Sequence, residues 1–588
     1  MSIFVLRPLP PLTNSFISQD LILSNERQIV LISANLNSQR TRKTLHDNIN
    51  GMLHHVGPRL YNHFSVPSNI LFFVLTLLYL LPIWSIQFFP TQDGPSHVYN
   101  SFILKEYFNT TQYPLLQQYY DLNLQPMPNW FGHLVIASLM FIVDPLIAEK
   151  IMLSGYVILF LYAGRFLIIG VGRGSFLLDK SQYSFFSEIS TNSLPLLLFP
   201  FVYNYLLHMG FYNFSYSLGF CLLAVGYWWE NHQKLGYKQA IVFNLIMVCC
   251  YFSHMVSTVI ALIVVSILWL TTIRLSNLKK HLWQIPMLLP SCVLPIWFIL
   301  SHGTKSNHIH WSIRRLYEYV SSLEVLFSFT TFQLKLGKIL SACFLLLLIL
   351  TLLNLASSFW KKRYLSFQYK DSFLLISLVC IVLYVLVPDG MSGGGFISHR
   401  LSLYPLLFLI PFFQLPKYKL TRWVVFSVLM LIALINFGYM INLYPKLDKD
   451  MKEFRSGLHK ISPNSRVLPL IFDSRGQCQR IGMFLHAIGY YCTYTGGVEW
   501  DNYEANTDYF PILFNPAFKD VRPNLSIIET KPREMKIAPY VDLVDFIYTW
   551  SLPMDSTIQK RIEANYQLVF EKQRTRIYKR SLKTDHIN

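Results

Sequence analysis

The feature that most constrains this chain is a series of apolar runs whose lengths suit a membrane crossing. The first run, 70–89, contains no charged residue. A helix needs about 20 mostly apolar residues to span a hydrocarbon core about 30 Å thick. The chain therefore predicts an α-helical polytopic membrane protein with about eleven transmembrane helices. Further spans, several of them short, are predicted at 151–170, 193–209, 211–229, 240–252, 256–272, 283–300, 340–355, 373–387, 401–413 and 423–443.

Composition agrees with this interpretation and excludes two classes of protein. Hydrophobic residues make up 53% of the chain and charged residues only 14%, with a mean hydropathy of +0.35, which excludes an ordinary soluble enzyme. The net charge of +18 is typical of nucleic-acid-binding proteins as well, but here the Lys and Arg residues lie in short connectors between apolar runs. They therefore indicate membrane orientation, and no nucleic-acid partner is expected.

The orientation depends on how the short apolar segment 131–143 is treated. If this segment crosses the membrane, the basic connectors near residues 274–280 and 361–363 lie outside. If it is re-entrant or interfacial, they lie in the cytoplasm, as the positive-inside rule requires. We therefore predict that it does not cross and that the C-terminus is extracytoplasmic.

The same reasoning divides the chain into three parts. Residues 1–68 are predicted to form a poorly structured cytoplasmic extension, and they lack a signal-peptide cleavage pattern. The run 70–89 then serves as an uncleaved signal anchor. Residues 69–444 form a transmembrane domain with an external loop at 90–130, and residues 445–588 have the composition of a small soluble α/β domain on the outer side.

The C-terminal part carries its own secondary-structure signals. A polar, aromatic loop at 496–509 contains Glu499, Asp501 and Glu504. Cys478 and Cys492 are the only cysteines in this part, and they predict a disulfide in an oxidising compartment. Strands are predicted at 466–473 and 540–550, a hairpin at 566–570 and 575–578, and a helix at 482–490.

A polar stretch, 91–100, directly follows the first apolar run and opens a short helix. Asp93 is expected at the helix N-terminus, and Pro95 in the first turn, where a missing N–H has no effect. His97 falls on the same face as Asp93, because side chains four residues apart align on a helix. The apolar residues that follow repeat at a spacing of four, which favours a helix lying flat in the outer membrane interface.

These features together are similar to a known arrangement: a signal anchor, an amphipathic helix after it, many further spans, an outer C-terminal domain and the motif Asp93-Gly94-Pro95-x-His97-x-x-Asn100. The chain resembles the GT-C superfamily of integral-membrane glycosyltransferases. The resemblance implies transfer of a sugar, with inversion, from a polyprenyl-phosphate donor to an extracytoplasmic glycan, lipid or protein acceptor. It also implies a bacterial inner membrane and Asp93 as the catalytic base.

The residues themselves leave several roles open for Asp93 and His97. Glycosyl transfer needs a base for the acceptor hydroxyl, and an Asp near its reference pKa is ionised at neutral pH. His97 is the competing base. A third possibility is that Asp93 and His97 share a divalent metal such as Mg or Mn, although metal sites usually have three or four ligands. Asp93 acting only as a helix cap is the simplest alternative.

Transfer from a lipid phosphate also needs positive charge to stabilise the departing phosphate. Arg400 is the first candidate, because it stands at the outer mouth of the span 401–413 after a glycine-rich segment. Arg314 and Arg315, in the long external loop, are second candidates. Arg400 as an interfacial side chain and the pair as a solvated basic face are the alternatives.

Short breaks between paired helices supply candidates for an acceptor pocket on the same outer side: His208, Tyr212, Asn213 and His254. Such residues also commonly satisfy helix ends. The loop histidines His302, His308 and His310 are a weaker indication of a metal site, because no acid accompanies them before Glu318.

Two other classes of function remain open at this stage. GT-C members often carry a second acid where this chain has Gly94 and another where it has Asn213, which favours a non-catalytic relative. A transporter or flippase of lipid-linked glycans would also have many spans, but it would place ionisable residues near the bilayer midplane. Arg165 is almost the only charged residue well inside a predicted span.

Overall fold

The computed structural model describes residues 67–176, 193–303, 306–307, 311–362, 368–391, 394–414 and 419–581. Contacts divide the chain into two compact units, Met1–Leu71 and Phe72–Asn588. Within the first unit the described residues begin at Pro67 and belong to a helix, α1, that runs from Pro67 to Trp84. The predicted cytoplasmic extension thus lies almost wholly outside the described residues.

Helices form most of the second unit. Those after α1 are α2 Gly94–Glu106, α3 Leu116–Tyr119, α4 Phe131–Leu139, α5 Pro145–Phe176, α6 Phe199–Val202, α7 Tyr205–His208, α8 Tyr212–Asn231, α9 Tyr237–Ser253, α10 Met255–Thr271, α11 Leu278–Leu288, α12 Pro290–His302, α13 Ile313–Ser321, α14 Phe332–Lys362, α15 Ser372–Leu386, α16 Ile397–Leu401, α17 Leu403–Leu409, α18 Lys419–Phe454, α19 Gly489–Thr495, α20 Pro516–Val521, α21 Leu525–Thr530 and α22 Thr557–Glu563.

Several of these helices are long and apolar enough to cross a membrane. Among the described residues they number four, or up to five if the bent pair Met255–Thr271 and Leu275–Leu288 counts as one span. The protein is therefore an integral membrane protein. Shorter apolar helices overlap other predicted spans, and the count of about eleven stays a prediction. The four long helices are Pro145–Gly172, Phe332–Trp360, Tyr369–Leu386 and Leu420–Lys460.

Within the segment 131–143, helix α4 covers Phe131–Leu139, which is 9 residues. At a rise of about 1.5 Å per residue, such a helix falls well short of a core about 30 Å thick. Its length agrees with the prediction of a segment that does not cross.

Among the described residues, strands form three small sheets. The strands are β1 Tyr120–Leu122, β2 Ser306–Asn307, β3 Gly390–Met391, β4 Arg466–Ile471, β5 Val498–Glu499, β6 Ile512–Phe514, β7 Phe546–Trp550, β8 Tyr566–Lys572 and β9 Thr575–Arg580. The largest has five strands in the order β5-β4-β7-β9-β8. Its central strands β4 and β7 run parallel, and β7–β9 and β9–β8 pair antiparallel. Every residue of β7 is buried, as expected for a strand covered on both faces.

The large sheet confirms the predicted strands in 466–473 and 540–550 and the terminal hairpin. The predicted helix at 482–490 is wrong, because the helix in this region is α19, which begins at Gly489. The backbone N–H of Gly482 donates to the side-chain oxygen of Gln92, 3.1 Å away, and Phe484 N donates to Ser474 O at 2.9 Å. The backbone bonds within the segment, such as Leu485 N to Gly482 O at 3.0 Å, span three residues and form turns.

The predicted disulfide is also wrong, because Cys478 and Cys492 are both free and buried. The two thiols have different surroundings. Asp450 and Asp473 are the charged neighbours of Cys478, whereas Glu499 and Asp501 are those of Cys492.

The loop after α2 is tied to the C-terminal part of the chain. Strand β1 pairs antiparallel with β6, with Tyr120 opposite Phe514. Asn123 donates from its side chain to the carbonyls of Asp508 and Phe510, at 2.8 and 3.1 Å. The segments that hold the site below are therefore brought together from both ends of the second unit.

Candidate active site

The start of α2 interlocks with the break between α7 and α8. Gln92 N donates to His208 O at 3.0 Å, and Asp93 N donates to Met209 O at 3.1 Å. Gly210 has a φ of +88°, and a Cβ at this position would lie 2.6 Å from Asp93 N. Glycine is required here both for the left-handed backbone and for the close approach.

The Asp93 side chain does not cap α2, although Asp93 is the N-cap residue. Its carboxyl accepts a hydrogen bond from Gln92 Nε2 at 3.1 Å and lies 3.5 Å from His486 Nε2. Burial raises the pKa of Asp93 well above its usual range, and burial lowers the pKa of His486 to about 3. The pKa of Asp93 is therefore higher than the reference value on which the sequence-based expectation relied.

Helix α2 forms where it was predicted, but it does not lie with one face in the membrane interface. Every residue from Gly94 to Ile103 is buried. Helices α4 and α19 pack against it. A spacing of four indicates an apolar face, and it does not distinguish a lipid neighbour from a protein neighbour.

A cavity of about 640 Å³ brings several predicted site residues together. Asp93, His97, Asn213, His254 and Arg400 all line it. Much of the remaining wall is apolar and comes from α10, α12, α15 and the residue after α15, including Val256, Val259, Ile263, Ile299, Leu383 and Val387. A volume of this size is in the range of small-molecule sites.

Arg400 places a guanidinium group at the cavity. The group lies 4.6 Å from the ring centroid of Phe211 and 5.6 Å from that of Phe214. Its Nη1 donates to the carbonyl of Gly395. Its Nε is buried and has no hydrogen-bond partner among the described residues. Because a guanidinium has five N–H donors, Arg400 retains donors for a ligand.

The opposite wall comes from the C-terminal part and was not identified from the sequence. His486, Tyr503, Tyr509 and Glu529 line the cavity there. Burial raises the pKa of Glu529 to about 7, although Arg522 acts in the opposite direction. The only sequence signal for this wall was the polar, aromatic composition of 496–509.

Two candidates for the acceptor pocket are held inside the protein and do not line the cavity. His208 is fully buried, with Nδ1 2.9 Å from Ser328 Oγ and Nε2 2.7 Å from Tyr444 OH. Tyr212 OH donates to Glu149 Oε1 at 2.6 Å. Both side chains fix the position of the break between α7 and α8.

The other two candidates line the cavity and also hold backbone. Asn213 Oδ1 accepts from Gly132 N at 2.6 Å, and its Nδ2 donates to Asn129 O at 3.0 Å. His254 is the N-cap of α10, and its Nδ1 accepts from Val256 N at 3.1 Å.

Arg314 and Arg315 do not line the cavity. Arg314 pairs with Glu318 at 3.0 Å on an exposed face. Arg315 makes two bonds to Glu324, of 2.8 and 2.9 Å. A guanidinium held by two bonds to a carboxylate has fewer donors for a phosphate than Arg400.

Below the cavity wall, His97 meets two residues that no local pattern connects. His97 Nδ1 lies 2.8 Å from Glu504 Oε1 and 3.2 Å from His133 Nε2. His133 Nε2 lies 2.6 Å from Glu504 Oε2. Burial opposes ionisation of Glu504, but the two imidazoles lower its pKa to about 2.

This triad is the group of described residues whose geometry suits a metal ion, since its ligand atoms all lie within 4.8 Å of one another. Asp93 is not in the group, which shares only His97 with the predicted Asp93–His97 metal pair. That pair stays a prediction. The second acid comes from the C-terminal part of the chain. His302 bonds to its own helix, with Nδ1 3.2 Å from Phe298 O, and His308 and His310 lie outside the described residues.

No protein-family model and no curated protein matches this sequence. Among solved structures, the chain is similar to the crystal structure of ArnT from Cupriavidus metallidurans in the apo state. The two share 10% sequence identity, the alignment covers 87% of this chain and 97% of that chain, and the TM-score is 0.48.

Proposed function

We propose that this protein is a membrane glycosyltransferase that transfers a sugar from a polyprenyl-phosphate donor to an extracytoplasmic acceptor, with inversion. The N-terminus would then lie in the cytoplasm of a bacterial cell, and residues 445–588 on the outer side of the inner membrane. The proposal rests on the GT-C resemblance of the sequence and on one geometric observation. Asp93 and Arg400 both line a single cavity whose wall is largely apolar.

The two ends of that cavity suit the two parts of such a donor. The apolar wall from α10, α12 and α15 accommodates an isoprenoid chain, because these helices are also candidates for membrane spans or parts of spans. Arg400 faces the phosphate with an Nε–H that has no other partner among the described residues. The polar wall with Tyr503, Tyr509 and Glu529 is left for the sugar and the acceptor.

In this reaction the acceptor hydroxyl attacks the anomeric carbon of the sugar. A new C–O bond forms, the bond between that carbon and the phosphate oxygen breaks, and the phosphate leaves with the electron pair. Asp93 in its ionised form takes the hydroxyl proton. A carboxylate with a raised pKa accepts a proton more readily than an ordinary one, so burial increases its strength as a base. Arg400 stabilises the negative charge on the leaving phosphate.

The test is a transfer assay in lipid nanodiscs with a panel of polyprenyl-phosphate sugars, in which release of free polyprenyl phosphate is measured. We expect release by the wild type from at least one donor. Asp93→Asn should lower kcat by about 10²–10⁴-fold, the usual contribution of a general base. The matched control is Asp542→Asn, because the side chain of Asp542 is fully exposed.

Arg400→Ala is the second arm of the assay. It should raise the donor KM and lower kcat, because Arg400 binds the phosphate and stabilises it as it leaves. Arg533→Ala, on an exposed residue, is its control. Wild-type kinetics in Asp93→Asn would remove Asp93 from the mechanism. No release from any donor, by folded wild-type protein supplied with Mg²⁺, Mn²⁺ or Zn²⁺, would contradict the proposed function.

A further inference from the structure

The triad of His97, His133 and Glu504 joins three segments that are far apart in the chain. His97 lies in α2, His133 in α4, and Glu504 in a short turn of the C-terminal part. His133 and Glu504 are 371 residues apart, and both are fully buried. A charged group at such depth persists only with strong compensation.

The hydrogen bonds of His133 show which nitrogen carries the proton. Nδ1 lies 3.0 Å from the carbonyl oxygen of Asn129, which can only accept, so Nδ1 carries the hydrogen. In a neutral imidazole, Nε2 then carries no hydrogen and presents a lone pair. This lone pair faces a carboxylate oxygen of Glu504 at 2.6 Å and His97 Nδ1 at 3.2 Å.

Two acceptors at 2.6 Å repel each other unless a positive charge lies between them. A proton between them makes either His133 a fully buried imidazolium or Glu504 a neutral acid. A metal cation supplies it with all ligands in their ordinary states, a neutral imidazole and a carboxylate. The bond from Nδ1–H to a backbone carbonyl is also the outer bond that metal-bound histidines usually make.

We propose that His97 Nδ1, His133 Nε2 and a carboxylate oxygen of Glu504 bind a divalent transition metal, with Zn²⁺ the best match to two imidazoles and one carboxylate. In a tetrahedral zinc site the ligand atoms lie about 3.3 Å apart. The atoms here are somewhat closer, so small side-chain rotations open the site.

The fourth coordination position of the proposed metal site faces the cavity. His97 lines the cavity, and so do Asn129 and Phe510, which flank the triad. A water molecule or a ligand oxygen can therefore complete the coordination from the cavity side. With its Nδ1 on the metal, His97 carries its proton on Nε2 and cannot act as a base.

Metal binding does not depend on the proposed transfer reaction and is tested without it. The full-length protein in detergent is stripped with a chelator, reconstituted with Zn²⁺ or Co²⁺, separated from free metal, and analysed for bound metal by mass spectrometry. We expect one Zn²⁺ per chain. Co²⁺ should give the strong visible bands of a low-coordinate site, without a thiolate charge-transfer band.

His133→Gln and Glu504→Gln should lose this metal, whereas the control His281→Gln should retain it. His281 is buried and hydrogen-bonded to Thr272 Oγ1 at 3.0 Å, but it does not line the cavity. Wild-type protein that binds no Zn²⁺ and gives no cobalt bands would overturn the proposal, and so would unchanged affinity in His133→Gln. If the variants fail to fold, the cobalt spectrum of the wild type still decides.

Discussion

Two buried carboxyl groups on either side of His97 have opposite electrostatic surroundings. Asp93 is 4% exposed and Glu504 is 0% exposed, so both lose nearly all contact with water. Burial raises the pKa of Asp93, and its nearest imidazole, His486, is itself kept neutral by burial. Burial acts on Glu504 in the same direction, but two imidazoles outweigh it and lower the pKa to about 2.

The difference shows how one small region separates a reactive acid from a binding acid. A carboxylate with a low pKa is a weak base, and the two Glu504 oxygens lie 2.8 and 2.6 Å from imidazole nitrogens of His97 and His133. The one His, Lys or Arg side chain within 4 Å of the Asp93 carboxyl among the described residues is His486, at 3.5 Å, and Asp93 lines the cavity. Asp93 therefore suits proton transfer, whereas Glu504 suits a structural or metal-binding role.

The largest effect that can test this contrast is the pH dependence of transfer. A base must be ionised, so kcat/KM should fall about tenfold for each pH unit below the pKa of Asp93. That pKa lies well above the ordinary value of 3.8, so the loss should already appear in mildly acidic buffer. The measurement is kcat/KM against pH, with recovery of activity after return to neutral pH as the control for unfolding. An acid limb centred at or below 3.8 would place Asp93 in an ordinary environment and remove the contrast.

Glu504→Gln should act mainly on stability. Removing the charge from a buried, hydrogen-bonded group of this kind typically destabilises a protein by about 3–5 kcal/mol. The melting temperature should be measured with a chelator present, so that the loss of the triad itself is separated from loss of metal. Glu534→Gln, at an exposed position, is the control. Asp93→Asn should leave the melting temperature nearly unchanged or raise it, and equal melting of Glu504→Gln and wild type would contradict the assigned role.

The sequence was sufficient to predict those site residues whose positions follow from local sequence patterns. Asp93 was identified by its position at a helix start after an apolar run, and Arg400 by its place at the outer mouth of another run. Both line the same cavity, as expected of two residues that the charge asymmetry of the connectors predicts on one side of the membrane. Strand β4 and the terminal hairpin were predictable for a similar reason, since alternation and turn residues are local signals.

The partners of His97 were beyond sequence reasoning. Helix α4, which carries His133, is positioned by Asn213, whose side chain binds the backbone of Gly132 and Asn129. Glu504 reaches the same point through the pairing of β1 with β6. These contacts are set by tertiary packing over hundreds of residues, and a spacing rule has no access to them.

Gly210→Ala should disturb Asp93 through the backbone. The left-handed φ of +88° and the distance of only 2.6 Å between an added Cβ and Asp93 N both oppose a side chain. Strain of this kind destabilises by about 1–3 kcal/mol, and movement of Asp93 should lower kcat. Gly438→Ala is the matched control, because nothing lies within 4 Å of a Cβ there. Unchanged kcat in Gly210→Ala would show that the position of Asp93 does not depend on this contact.

Glu529 offers the smallest test, because it is a half-buried acid at the same cavity and has no imidazole partner among the described residues. Burial raises its pKa to about 7 from an ordinary 4.5, so it should behave like Asp93 and unlike Glu504. Because the pKa of Glu529 is higher in the folded than in the unfolded state, the protonated group stabilises the folded state fully below about pH 4.5, and this contribution is lost as the pH rises through about 7.

The substitution Glu529→Gln removes the acid. The variant should therefore match the wild type in melting temperature near pH 4 and exceed it at pH 8, by about 1–3 kcal/mol in stability. Melting of both proteins across this range measures the gap, with Glu534→Gln as the variant that should show none. If the difference in melting temperature between variant and wild type does not change with pH, Glu529 is ionised throughout this range. Burial would then fail to raise the pKa of Glu529, and the same cause could not be assigned to Asp93.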